Sequence, residues 1–420
     1  MNRIGGPSKR LRGVVIRIAL LYPSDPLGFS ASGIDSFVRG VLKFAPTDVQ
    51  YTLFGTTSME SKLPLMQAAT VMLQGRDIRY VPIVRVEQSG VRRRVPLILR
   101  YTLALLRASL GGALREFQGL DFHRMEPLLV LRGDSRPKSL FMHQDYSGVV
   151  DARSEIGWRH IPWAYRALER FVFPSVSFFY SVREPSVAAY RQAYPQLAER
   201  FEFMPTWVDV SAFRPIASES ERELEKFAQL RELAADTGGA LLVYVGRLDH
   251  AKDPLLLLAA LRLLLARHSR WHLAMVGDGI LRGEVEAALR VGPLQGKVSL
   301  LGARPATDIQ RLLRTGDLFV LPSAYEGMPF AVLEALACGI PVVCTDVGEV
   351  KRVVNNDSNG YICVQRTAAA FSDCLDRGLV NAGRLRGTAC VSAVKPYVAE
   401  TVLERVFERY RARFPAQTLR

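Results

Sequence analysis

The sequence predicts an α/β protein built from two parallel-sheet domains, and three observations carry that expectation. At 420 residues the chain is too long for one comfortable core, so two domains are the default. Short apolar runs alternate with helical patterns along its length, which is how parallel strands with crossover helices read. Around residue 205 the texture turns irregular, and the alternation begins afresh near Ala240. The hydrophobic content of 49% and charged content of 23% are those of a soluble globular chain.

The elements follow in order. The basic, then apolar, N-terminus resembles a signal peptide, but Arg17 interrupts the apolar run and no small-residue cleavage site follows. A basic arm leading into a first strand, Val14 to Leu21, fits better. A Gly/Ser-rich loop and a helix from Ile34 to Phe44 come next. "YTLFGTT", "IRYVPIV", "PLLVLRG", "SLFMHQD" and "VSFFYSV" read as further strands. "PTWVDVSAFRP" reads as a connector, and "SESERELEKFAQLRELAADTGG" as a polar helix with a Ser/Glu start and a Gly stop. "ALLVYVGRLDHAKDPLLLLAALRLLLARHSRWHLAMVGDG" then gives strand, loop, helix, strand, loop. "VSLLGA", "LFVLPSAYEG", an apolar helix and "IPVVCTD" complete the second unit, and "AETVLERVFERYRARF" is a closing amphipathic helix. The expected division is 1–208, 209–395 and a terminal helix in 396–420.

Charge is uneven. Residues 1–200 hold 28 Lys/Arg against 16 Asp/Glu, whereas 201–420 hold 27 against 25. The N-terminal half therefore faces something anionic, or carries a charge that serves solubility. From Val91 to Phe117, Arg92, Arg93, Arg94, Arg100, Arg107 and Arg115 interleave with Leu, Ile and Tyr. That reads as an interfacial segment on anionic lipid, or as an ordinary helix with one face on the core. No recognised nucleic-acid motif accompanies the charge, so no nucleic-acid partner is expected. No segment reaches the roughly 18 consecutive apolar residues of a membrane span. The five cysteines are odd in number, lack CxxC spacing and read as buried free thiols of a reducing compartment.

Open parallel sheets bind ligands at the carboxyl ends of their strands. After the strand at 241–245, "GRLDHAKD" puts Arg247 and Lys252 in one loop before a helix start, which suits a diphosphate or is simply a solvated loop. After the strand at 272–276, Gly277 in "GDG" marks a close turn, without the glycines of a dinucleotide fingerprint. After the strand at 318–322, "YEGMPFAVLEALACGIPVVCTD" carries Glu326 and Glu334 in an otherwise apolar segment. Pro329 places the helix start at Met328 or Pro329, so Glu326 lies in the loop and Glu334 in a buried helix. An unpaired carboxylate there is costly, which calls for a cationic partner or a hydroxyl-rich ligand. Two cations with two carboxylates suit a nucleotide-sugar.

These residues resemble a family. "EGMPFAVLEALACGIPVV" is similar to the paired-glutamate motif of the retaining glycosyltransferases of family four, "YVGRLDHAKD" to their Gly-Arg-Leu loop, "PTWVDVSAFRP" to their interdomain segment and "NGYICV" to their late strand. The likeness is specific from about 205 to 365. Before that, "SGIDSFVRGV" resembles the family's first glycine loop and "FMHQD" supplies a histidine, His143. The chain departs in having a single Gly33, Glu349 after Gly348, and "PTW" at the connector.

The resemblance implies a GT-B fold: two facing Rossmann-like domains, the donor held by the second and the acceptor by the first. It implies Arg247 and Lys252 on the donor diphosphate, Glu334 on the ribose, and Glu326 on the transferred sugar with the amides of Gly327 and Met328. It further implies His143 near that sugar, Gly33 close to the phosphates or acceptor, Gly277 at the cleft and Arg304 beside the base. The expected activity is retaining hexosyl transfer from a nucleoside-diphosphate sugar to a glycan or lipid-linked acceptor, at the cytoplasmic face of the plasma membrane. A nucleotide-sugar epimerase and a silent glycan- or phospholipid-binding module are the alternatives. No cofactor or metal is expected, since the chain contains no Asp-x-Asp.

Overall fold

The computed structural model describes residues 15–28, 33–87, 95–143, 157–236 and 238–414. The arginines 92–94 lie outside them. The first sheet contains β1 (Ile16–Leu21), β2 (Val49–Ser58), β3 (Ala69–Leu73), β4 (Arg76–Val86), β5 (Gly119–Phe122), β6 (Lys138–Met142), β7 (Phe178–Ser181) and β8 (Phe201–Phe203). Their order is β3-β4-β2-β1-β5-β6-β7-β8, and every pairing is parallel except β3 with β4. That hairpin turns through Gln74 and Gly75, both at positive φ, as a tight two-residue turn requires. The second sheet contains β9 (Ala240–Val245), β10 (Trp271–Val276), β11 (Val298–Gly302), β12 (Leu318–Leu321), β13 (Val342–Thr345) and β14 (Gly360–Cys363), in the order β11-β10-β9-β12-β13-β14, all parallel.

Helices cover both faces of each sheet, so the central strands of the second, β9 and β12, are apolar throughout rather than alternating. One core fills the second domain. Two cores lie on the two faces of the first sheet. The face that carries the helix Gly33–Phe44 is completed by the last helix, Ala399–Arg413, whose Val402, Leu403, Val406, Phe407 and Tyr410 pack with Ile18, Leu20 and Tyr51. The Tyr410 hydroxyl donates to the fully buried Asp121 on β5, and Tyr51 donates to the same carboxyl at 3.2 Å. Burial pushes Asp121 up to about 7 against the pull of these hydroxyls. The chain thus crosses between the domains twice. The two crossings touch where Val208 lies opposite Val398: the Val208 amide donates to the Tyr397 carbonyl at 2.8 Å and the Ala399 amide to the Val208 carbonyl at 3.0 Å.

Several expectations change. "PLLVLRG" is not a strand: Leu128–Leu131 is a single helical turn, because a short apolar run does not by itself distinguish strand from helix. β3, β5 and β8 are additional strands. The first strand runs from Ile16, and the apolar helix begins at Phe330, with Pro329 extended at ψ 123° as its N-cap.

Candidate active site

In the second sheet the order reverses at β9, which has β10 on one side and β12 on the other. Such a switch point leaves a crevice above the carboxyl ends of its strands. The loops leaving β9, β10 and β12 meet there through backbone contacts. Gly277, at φ 136°, lies so close to the β9 loop that a Cβ would sit 1.8 Å from the Gly246 carbonyl oxygen. The amides of Ala324 and Tyr325 donate to the Ala251 carbonyl at 2.7 and 3.3 Å. Glycine at 277 is thus required by both a close approach and its φ.

On this scaffold the sequence-predicted side chains separate. Lys252 and Glu326 form an ion pair, and Glu326 Oε1 also accepts from the Ser323 hydroxyl at 2.7 Å. Glu326 is buried, so the ammonium and hydroxyl offset the cost of removing its charge from water. Arg247 is exposed and reaches the buried Asp249 at 2.8 Å. Asp249 also caps the loop, accepting from the Lys252 amide at 2.9 Å, and Asp253, at φ 47°, caps the helix Pro254–Leu264. Ser323 and Asp249 were not singled out from sequence. Each follows or precedes a motif residue by two or three positions, which was the available signal.

Glu334 sits inside Phe330–Ala337, half-buried, and neither its carboxyl oxygens nor any described cation makes a pair with it. Burial, reinforced by the nearby Asp209 charge, pushes its carboxyl up to about 7. The structural alternative, a neutralising arginine, is therefore absent among the described residues. Gly327 and Met328 precede this helix, and neither amide donates to another described residue. The Met328 carbonyl accepts from Thr206 in the first domain at 2.7 Å. Arg304, beyond the edge strand β11, is exposed and makes no hydrogen bond or ion pair with a described side chain.

The first domain closes over this crevice. A Cβ on Gly327 would meet Val182 at 2.8 Å, and one on Gly33 would meet the Phe330 ring at 3.7 Å. Glu349 accepts from the Glu184 amide at 3.1 Å, at the start of the helix Glu184–Ala193, and from Arg352 at 2.6 Å. Its carboxylate therefore bridges the domains where a second glycine is usual in the resembling family. His143, just past β6, bonds through Nε2 to His123 Nδ1 at 3.0 Å and packs edge-on against Phe37 at 5.0 Å. Burial pushes His143 down to about 3, so its imidazole is neutral at physiological pH. His123, just past β5, was not anticipated, although it follows its strand as His143 follows β6.

The sequence profile of the family "Glycosyl transferases group 1" matches residues 225–386. Over 181 residues the chain is 28% identical to the UDP-Gal:alpha-D-GlcNAc-diphosphoundecaprenol alpha-1,3-galactosyltransferase of Escherichia coli, covering 42% of this chain and 45% of that protein. The chain spans roughly a third to a half of the length of the curated relatives it matches. The sucrose-phosphate synthase of Thermosynechococcus elongatus superposes with a TM-score of 0.75 at 18% identity, covering 95% of this chain and 99% of that one. The HepE protein of Anabaena, in complex with UDP-glucose, superposes with a TM-score of 0.69 at 16% identity, covering 94% and 100%. Residues 225–386 thus match the family Glycosyl transferases group 1, within a chain that has the two-sheet GT-B fold.

Proposed function

We propose that the protein is a retaining glycosyltransferase of family four that moves a hexosyl unit from a nucleoside-diphosphate sugar to a glycan or lipid-linked acceptor. The observations that carry this reading are the Lys252–Glu326 pair at the β9/β12 switch point and a Glu334 that pairs with no cation among the described residues. Arg247 and Lys252 supply the countercharge for the diphosphate, so the proposal assigns no metal and no cofactor. Glu334 accepts from ribose hydroxyls. Glu326 and the Gly327 and Met328 amides hold the sugar being transferred, while the neutral His143 lines the acceptor side. Catalysis is then chiefly positioning and preorganised charge stabilisation of the departing diphosphate and an oxocarbenium-like sugar. The relative HepE was crystallised with UDP-glucose, which supports a nucleotide-sugar donor. The test is release of nucleoside diphosphate from a panel of nucleotide-sugars, with and without acceptor. A binding module releases none, and an epimerase returns an altered nucleotide-sugar.

The Glu334 assignment predicts a pH dependence. Its carboxyl, raised to about 7 from an ordinary value of about 4.3, is largely protonated below pH 7. Folding with this group uncharged costs stability as pH rises from about 4.3 to 7. Hydroxyl donors favour the carboxylate, so donor binding releases a proton and its affinity falls as pH drops from 8 to 6, by up to about tenfold per unit. Titration calorimetry across that range reads the slope, and Glu334→Gln removes it. A native slope of zero contradicts the assignment.

The same proposal places the first domain at the inner face of the plasma membrane. The helix Leu97–Leu110 exposes Leu99, Leu103 and Leu110 together with Arg107, while Tyr101, Leu105 and Ala108 face the core. Among the described residues no helix is long and apolar enough to cross a membrane. Exchanging Arg92, Arg93 and Arg94 for glutamine is expected to weaken sedimentation with vesicles containing anionic lipid, by roughly 1 kcal/mol per charge near the surface. Unchanged sedimentation removes the membrane contact from the proposal.

A further inference from the structure

The turn that follows β13 presses on the loop that carries Glu326. Gly348, at φ 55°, lies so close that a Cβ would sit 2.0 Å from the Gly327 carbonyl oxygen and 2.6 Å from that of Glu326. The next residue, Glu349, donates its amide to the same Gly327 carbonyl at 2.8 Å. Its backbone thus belongs to the site of the second domain. Its side chain reaches the first domain: Oε1 accepts from the Glu184 amide at 3.1 Å, a residue 165 positions away in the chain. Glu184 opens the helix Glu184–Ala193, so the carboxylate meets the positive end of a row of aligned peptide dipoles.

The other carboxyl oxygen is held as well. Arg352 Nε donates to Glu349 Oε2 at 2.6 Å, and Arg352 Nη2 pairs with the Glu184 carboxylate. The same guanidinium lies over the Phe203 ring of β8, 4.8 Å from its centroid. The two links to Glu184 are unequal. Glu349 is 7% exposed, whereas the Glu184 side chain is 60% exposed. An exposed ion pair contributes little. Losing a buried charged acceptor instead leaves the Glu184 amide unpaired while the domains touch, and water satisfies that amide best once they part. Beside this contact, a Cβ on Gly327 would meet Val182 at 2.8 Å, and the Arg183 guanidinium lies 5.5 Å from the centroid of the Tyr325 ring. Residues 182–184 of the first domain therefore roof the loop 325–327. A further bond to this loop, from Thr206 to the Met328 carbonyl, comes from the connector between the domains.

We propose that Glu349 is a positioning residue: its carboxylate clasps the start of the helix Glu184–Ala193 and keeps the first domain seated on the loop of Glu326, so that the cleft stays closed with no sugar bound. A ligand then supplies none of the free energy of closure, and the groups around Glu326 are placed before it arrives. The clasp is a property of the chain alone. Only its bearing on sugar transfer rests on the reading above.

The test uses the full chain without ligand. Small-angle X-ray scattering reads its radius of gyration, and mass spectrometry reads hydrogen exchange in a peptide spanning Glu184, where Pro185 carries no amide. Glu349→Ala removes the carboxylate without loosening the backbone, since its φ of −99° suits any residue. It is expected to enlarge the radius and to speed exchange at the Glu184 amide about tenfold or more, the scale of losing a hydrogen bond to a charged group. Glu349→Gln keeps one oxygen for the amide and is expected to lie between alanine and the native chain. Glu184→Ala loses only the exposed ion pair and is expected to keep the native radius, with exchange within about twofold. Thermal unfolding establishes that each variant folds. Should Glu349→Ala not fold, Glu349→Gln decides alone, because it must still exchange faster than the native chain. The inference is overturned if folded Glu349→Ala keeps the native radius and exchange, or if either Glu349→Gln or Glu184→Ala opens as far as Glu349→Ala does. A failure of the transfer reading shows separately, as no release of nucleoside diphosphate by a chain whose scattering still responds to Glu349→Ala.

Discussion

Replacing Lys252 with alanine is expected to lower the rate of sugar transfer by about a hundredfold or more, and Glu326→Ala by a similar factor. The scale is that of losing one preorganised electrostatic contact to a developing charge, about 2.7 kcal/mol. The ion pair between these two side chains makes the double variant informative. Were their only role to neutralise one another, removing both would restore activity, because the damage in each single variant would be the charge left without a partner. The proposed roles differ: Lys252 acts on the departing diphosphate and Glu326 on the sugar. The double variant is then as inactive as either single one or worse. Single-turnover transfer kinetics, with thermal unfolding to establish that each variant is folded, separate these outcomes. Near-native turnover in either single variant contradicts the assignment.

The second large effect is expected at Gly277. A Cβ there would lie 1.8 Å from the Gly246 carbonyl oxygen and 2.8 Å from its carbon, at a φ of 136° that side chains rarely adopt. Both partners are backbone, so no rotamer relieves the contact. Gly277→Ala must instead push the β9 and β10 loops apart, breaking the Gly246 amide bond to Val276 (3.0 Å) or the Gly277 amide bond to Gly302 (2.9 Å). A cost of about 3 kcal/mol follows from the strained backbone and lost bonding. For a domain of this size that lowers Tm by roughly 6–12 °C. Donor affinity falls with it, because Arg247 and Lys252 ride on the displaced loop. Gly283→Ala is the control. Nothing lies within 4 Å of a Cβ there, in the helix Arg282–Arg290, and the change is expected to be neutral or stabilising by up to ~1 kcal/mol. Equal Tm values for the two variants contradict the account of Gly277.

Much of the second domain was legible in the sequence because its signals are local. Each strand from β9 to β13 is a largely apolar run that stops at a Gly, Pro or Asp, and Pro329 alone suffices to separate Glu326 from Glu334. What escaped was set by distance along the chain. Nothing near Glu326 announces that Lys252, 74 residues earlier, neutralises it. Nothing near Glu349 announces that it reaches the Glu184 amide. β5 was missed because "GLDF" is four residues long and carries a charge at its centre. That charge makes sense only once Tyr51 and Tyr410, from opposite ends of the chain, converge on Asp121. The run "PLLVL" misled for the converse reason: it is apolar enough for a strand, but its place between β5 and β6 is filled by a helical turn.

The return of the last helix to the first sheet also bears on the order in which a ribosome completes this molecule. Domains generally fold as units, the earlier one first, while the chain is still being made. Here the first sheet lacks one wall of its core until residues 399–413 emerge, since Val402, Leu403, Val406, Phe407 and Tyr410 all belong to it. The second domain holds every residue of its own core by Val394. The half translated first is therefore the half finished last, with Asp121 and the faces of Ile18 and Leu20 uncovered throughout the intervening synthesis.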